Sequence, residues 1–257
     1  GNFRSLTAYA NDPLVVLGTA ALIILGGISF IVVADAFSAK RFSRMALDSR
    51  LVLVTTLGLL ALGIVVILTT EYLNPDTLGP MPLGQKVLDA FFQSVAPRTA
   101  GFNVIDIGKM TEFTLFFTLL LMFIGGASGS TAGGIKVNTF GLLIATVVSA
   151  IKGKEYAGAY DREFTNRGVY RALTVAMLSL ALVSVVVLAL TVTEKFSFIQ
   201  LLFETVSAFG TVGLTTGITP ELSTAGRVII AATMFIGRLG PLTVALTTVQ
   251  RQRPSIY

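Results

Sequence analysis

The chain has no cysteine and no histidine. The first absence excludes disulfides and thiolate metal sites. The second removes the usual general base and the usual transition-metal ligand. Charge is scarce as well: 13% of the 257 residues are charged, against about 25% in a soluble domain. Hydrophobic residues make up 53%, and mean hydropathy is +0.80. These values define an integral membrane protein. The excess of 19 Lys and Arg over 14 Asp and Glu is not a nucleic-acid signal. The basic residues flank apolar segments instead of forming one patch. The sequence opens on Gly1 with no basic n-region and no cleavage site, so it reads as an internal fragment or processed product, not as a signal peptide.

What is present is long apolar runs. Residues 13–34, 51–70 and 172–193 carry no charge, and each is long enough to cross about 30 Å of hydrocarbon as a helix. Residues 228–249 have that length too, with Arg238 near the middle. The run 113–151 is too long for one helix. It is interrupted by Gly125-Gly126-Ala127-Ser128-Gly129-Ser130-Thr131-Ala132-Gly133-Gly134, which predicts two half-helices joined by a flexible loop. Residues 84–96 and 197–208 are too short to cross and read as re-entrant segments.

The sequence also repeats itself. Thr99-Ala100-Gly101-Phe102 returns 112 positions later as Thr211-Val212-Gly213-Leu214. At the same offset Met122-Phe123-Ile124-Gly125 returns unchanged as Met234-Phe235-Ile236-Gly237. Each copy runs short apolar segment, T-x-G turn, polar stretch, long apolar segment. The basic loops hold Lys40, Arg41, Arg44 and Arg50, then Lys152, Lys154, Arg162, Arg167 and Arg171, then Arg251 and Arg253. The poorer stretches 71–112 and 194–221 alternate with them. The basic loops are then cytoplasmic, which works only if 84–96 and 197–208 do not cross.

A turn at membrane depth is tolerated where it lines water or is protein-buried, and its carbonyls can replace the hydration shell of a cation. Gly101 and Gly213 would supply the backbone freedom, and Thr99 and Thr211 an inner oxygen. The plain alternative is an external loop. The Gly/Ser loop reads as an intramembrane gate below the turns or as close helix packing through small residues. Its Gly134-Ile135-Lys136-Val137 does not fit a nucleotide-binding P-loop. Arg238 must face a polar cavity or a partner, because a charge at helix centre costs about 3 kcal/mol. It aligns with Gly126 and reads as lining the path beneath the turns, or as structurally bonded. Lys136 lines an inner vestibule or reaches the cytoplasmic surface. Glu204, in the second short segment, reads as a source of negative potential near the turns or, foremost, as a hydrogen-bonding partner of nearby backbone. An intramembrane enzyme would need a Ser-Lys pair from Ser128 or Ser130 with Lys136.

Three stretches carry a family resemblance: Pro97-Arg98-Thr99-Ala100-Gly101-Phe102-Asn103, the stretch 125–136, and Phe235-Ile236-Gly237-Arg238-Leu239-Gly240-Pro241. They resemble the Trk/Ktr/HKT potassium-transporter superfamily, and within it the bacterial Ktr-type membrane subunits. The resemblance implies an all-α polytopic membrane protein of helix–pore loop–helix repeats around a pseudo-fourfold pore. Residues 1–50 would close repeat two, 51–171 form repeat three and 172–257 repeat four. K⁺ would be bound by backbone carbonyls of Thr99, Ala100, Gly101, Thr211, Val212 and Gly213, with Phe102 and Leu214 completing the two filters. Gly125, Gly126, Ser128, Gly129, Ser130, Thr131, Gly133, Gly134 and Arg238 would form the gate. No cofactor is implied, and a coupling or activating role for Na⁺ stays open. The implied setting is the bacterial plasma membrane, as a homodimer on a cytoplasmic ring of nucleotide-binding RCK-type regulatory subunits.

Overall fold

The computed structural model describes residues 5–154, 156–160, 162–240 and 243. Asp12 opens α1 (Pro13–Gly27) by accepting from the N–H groups of Leu14 and Val15, at 3.0 and 3.3 Å. Pro13 occupies the first helical position, where a missing N–H costs nothing. The helix stops at Gly26-Gly27. Ile28 is extended, and Ser29 caps a new helix, α2 (Phe30–Ala39), by accepting from Ile31 N–H. The two helices meet at 90°. The single span expected over 13–34 is therefore bent. Paired glycines end one helix and a serine is in place to cap the next.

α3 (Leu47–Glu71) follows, then the short α4 (Leu83–Val95). α5 (Glu112–Phe123) and α6 (Val137–Ile151) are the two half-helices expected on either side of the Gly/Ser loop. A small hairpin, β1 (Gly158–Ala159) with β2 (Arg162–Glu163), leads into α7 (Asn166–Thr193). The short α8 (Phe198–Gly210) and α9 (Thr224–Leu239) complete the order. α3 and α7 are each long and apolar enough to cross a membrane, and the bent pair α1/α2 passes the same test only when its two helices are taken together. Large apolar side chains such as Leu57, Val65, Leu188 and Val192 point outward from α3 and α7. That is the surface a bilayer covers.

The core gathers on α4 and α8. Phe92, Phe203 and Phe209 are fully buried, and the Phe209 ring lies 5.7 Å from that of Phe123. α4 packs on α3, and α8 on α5 and α9. Gly63 allows the first of these approaches, since a Cβ there would lie 2.9 Å from Ser94 Cβ. The span expected over 228–249 begins earlier, and its described helix ends at Leu239, followed by Gly240 at φ 87°. Arg238 thus lies in the last turn of α9 and not at mid-helix. Pro241, the rest of that span, the basic tail with Arg251 and Arg253, and Gly1 lie outside the described residues.

One clamp appears twice. Glu71, at the end of α3, accepts from Thr111 N–H (2.9 Å) and Thr111 Oγ1 (2.8 Å) at the start of α5. Glu194, just past α7, accepts from Ser223 N–H (3.1 Å) and Ser223 Oγ at the start of α9. Thr111 and Ser223 are again 112 positions apart, and each caps its own helix. The carboxylates occupy orphan N–H groups at a helix N-terminus, where negative charge is favoured.

Candidate functional site

Both short helices run out into turns that share positive φ at the same two positions, although their hydrogen bonds differ. After α4, Arg98 N–H donates to Val95 O (3.0 Å) and Ala100 N–H to Ala96 O (3.2 Å). After α8, Thr211 N–H donates to Ala208 O (3.0 Å) and Val212 N–H to Ser207 O (2.9 Å). Thr99 and Thr211 then sit at φ 61° and 51°, and Gly101 and Gly213 at 74° and 90°. A β-branched residue in the left-handed region is strained by about 1–3 kcal/mol. The same strained geometry recurs at the same place in both copies. The two turns also touch. A Cβ on Gly101 would lie 2.7 Å from Val212 O, and one on Gly213 would lie 3.2 Å from Gly101 Cα. The turns differ in setting at their last positions, Phe102 being exposed and Leu214 buried.

The Gly/Ser loop is pinned at its base. Gly125 N–H donates to Ile135 O (2.8 Å), Ile135 N–H to Phe123 O (3.2 Å) and Val137 N–H to Gly126 O (3.1 Å), which makes a parallel bridge between Ile124 and Ile135. Gly125, Gly126 and Gly133 are buried, while Ser128, Gly129 and Thr131 are exposed at the tip and Ser130 is half-buried. Gly133 lies against Gly210 and Thr211, since its Cβ would meet Gly210 O at 2.6 Å. Gly134 faces Gly210 Cα at 3.5 Å by the same measure. Ala127 N–H donates to Gly27 O (2.9 Å), so the α1/α2 bend holds the other side of the loop.

Arg238 meets this loop: its Nη1 donates to Thr131 O. The structure thus brings the loop, the turn at Thr211 and Arg238 into one cluster. Lys136 donates back to Ala132 O and lines a cavity. Glu204 accepts from Thr216 N–H (3.1 Å) and from the hydroxyls of Thr215 and Thr219, the latter at 2.7 Å. Its carboxylate therefore holds the strand that leaves the second turn. Arg98 is a further participant. It is buried, and its Nη1 donates to Ile124 O at 3.1 Å. The residue before each turn threonine, Arg98 in one copy and Gly210 in the other, rests on the loop. No spacing in the sequence distinguishes Arg98 from a basic loop residue. Its alignment with Gly210, the small residue that Gly133 abuts, is the one available sign.

Residues 2–255 match the family model described as TrkH, cation transport protein. The chain belongs to this family of cation transport proteins, whose members are transporters and not enzymes, and the Ser-Lys reading falls. It is 45% identical over 252 residues to the Ktr system potassium uptake protein B of Bacillus subtilis, covering 98% of this chain and 57% of that protein. It is 42% identical over 247 residues to the potassium/sodium uptake protein NtpJ of Enterococcus hirae, covering 95% and 54%. The chain spans about half the length of the curated relatives it matches. Its fold matches the crystal structure of the potassium transporter TrkH from Vibrio parahaemolyticus at TM-score 0.77 and 18% identity, over 95% of this chain and 53% of that one.

Proposed function

We propose that this chain supplies half of a K⁺-uptake pore, as part of a Ktr-type membrane subunit. Residues 51–171 and 172–257 are two helix–pore loop–helix repeats, and residues 1–50 close a preceding one. The observation that carries the reading is the pair of strained turns in contact across the repeat, at Thr99-Ala100-Gly101 and Thr211-Val212-Gly213. Positive φ at the first and third residue, with negative φ between, lets neighbouring carbonyls face one side, as a cation filter needs. K⁺ is the choice among cations because of the relatives' names, and Na⁺ has a place as coupling or activating ion. The loop 125–134 with Arg238 is the gate beneath this filter. The setting is the bacterial plasma membrane, with the basic loops inside. The family resemblance adds a homodimer on a ring of RCK-type regulatory subunits.

The test is Gly101→Ser and Gly213→Ser in the full-length transporter, assayed by K⁺ uptake against competing Na⁺ in a K⁺-uptake-deficient host. A Cβ at either glycine meets backbone of the facing turn, and φ is in the range L side chains avoid. We expect both variants to insert and to lose K⁺ selectivity roughly tenfold or more, the factor for a loss of about 1.4 kcal/mol. Wild-type apparent K⁺ affinity in both would remove the filter assignment.

A further inference from the structure

A cavity of about 620 Å³ lies among the first turns of α3, α6 and α7 and meets the loop at Ser128 and Gly134. None of the turn residues 99–102 or 211–214 lines it. Its apolar wall is Leu47, Leu51, Leu142 and Val175. Among the described residues its charged groups are Lys136, Arg171 and Asp48. Asp48 is already engaged, accepting from Asn138 Nδ2 at 3.1 Å. Lys136 donates to a loop carbonyl, and Arg171 makes no hydrogen bond or ion pair among the described residues. The wall also contains the start of α6. No side chain caps that helix, and its Asn138 and Thr139 line the cavity. Val137 N–H is taken by Gly126 O, and the next N–H groups, of Asn138 and Thr139, lack intrahelical partners and favour an anion.

We infer that this cavity binds the phosphate headgroup of an anionic phospholipid, whose acyl chain lies along Leu47, Leu51, Leu142 and Val175. Among the described residues, two cations line the cavity against one carboxylate that is already bonded, so the described wall carries an excess of positive charge. Arg171 is exposed and Lys136 half-buried, so a headgroup can reach both, and the cavity opens beside two helices long enough to span a bilayer. A small soluble phosphate would satisfy the charge and leave the apolar wall bare. A lipid satisfies both. Its headgroup would also brace the loop at Ser128 and Gly134, which is a route by which membrane composition sets gating. That consequence rests on the gate reading, whereas the binding itself does not.

The experiment is native mass spectrometry of the purified full-length transporter, titrated with phosphatidylglycerol or phosphatidylcholine of equal chain length. We expect one phosphatidylglycerol to bind about fivefold more tightly than phosphatidylcholine, from the attraction of basic groups for anionic lipid. Lys136→Gln with Arg171→Gln should abolish that preference, and Lys136→Arg with Arg171→Lys should keep it. Leu142→Trp, which fills the cavity and leaves its charge alone, should weaken both lipids. An unchanged preference in the neutral double variant overturns the proposal, as does unchanged binding in Leu142→Trp. Displacement of phosphatidylglycerol by millimolar inorganic phosphate would assign the site to free phosphate and overturn the lipid assignment. Binding is read without transport, so a failed filter reading leaves this result standing.

Discussion

Arg238 combines a charge with a tether. Its Nη1 holds Thr131 O at the tip of the loop, and on the proposed pore reading its charge stands inward of the turns. At an effective dielectric near 20, a cation passing a few ångströms away is opposed by about 4 kcal/mol, which bound water reduces. Arg238→Gln is therefore expected to raise maximal K⁺ flux several-fold with K⁺/Na⁺ selectivity nearly unchanged, measured per folded molecule in reconstituted vesicles. Arg238→Lys separates the two effects. It keeps the charge and loses the planar donor fork. Flux near wild type in the lysine variant assigns the effect to charge, and flux raised as in the glutamine variant assigns it to the tether. Lower flux in the glutamine variant at wild-type folding would end the barrier reading. The importance of Arg238 was legible because a charge inside an apolar run must be explained. Arg98 was not legible, although it is the more buried of the two. It follows Pro97 in a polar-looking stretch, and only the fold brings it to Ile124 O.

The loop between α5 and α6 is an element of its own, closed at the base by the Ile124–Ile135 bridge and loose at the tip. Its composition was legible. Ten residues dominated by Gly, Ser and Thr cannot continue a helix. Its neighbours were not, because the Gly210, Gly27 and Arg238 contacts join residues far apart in sequence. The same is true of the α1/α2 bend. Hydropathy reads 13–34 as one span, since periodicity carries no information about direction after Gly26-Gly27. Packing of Gly133 against Gly210 and Thr211 gives the loop a structural role whatever else it does. Deleting the tip, residues 128–131, leaves the bridge and that packing in place and removes the Arg238 partner. If the loop is the gate proposed above, it cannot close without its tip, so K⁺ flux should rise several-fold and respond less to any cytoplasmic regulator. A folded deletion with flux below wild type would leave packing as the loop's only role.

At the scale of the whole molecule, the two repeats share more than their turns. The offset of 112 was legible in the sequence, and it placed the two turns and the starts of the helices that follow them, α5 and α9. The clamps were hidden by a change of spacing, for Glu71 and Glu194 are not 112 apart although Thr111 and Ser223 are. Each clamp ties the end of a long helix to the start of the helix that follows its turn. It thereby closes the polypeptide loop that carries the short helix and turn between them. Glu194 lies outside the spanning segments, and its carboxyl is held below the ordinary glutamate value of 4.5, first by the Ser223 hydroxyl and then by the Ser223 N–H. The sign of its contribution follows. A depressed folded value means the clamp stabilises fully above the unfolded value and is lost as the pH falls through the lower, folded one. Ser223→Ala removes the clamp hydroxyl and the cap of α9 together, at an expected cost of about 1 kcal/mol. In the full-length protein in detergent, its melting temperature should fall below wild type by a few degrees at neutral pH. Glu194→Gln should show a smaller deficit, because exposed charge is screened by solvent and salt. That deficit should hold down to the ordinary glutamate range and close as the pH drops beneath it. A deficit in Glu194→Gln that is constant through the acid range would mean that its charge does not hold the clamp. The second copy of the repeat would then be kept closed by the packing of α7, α8 and α9 on one another.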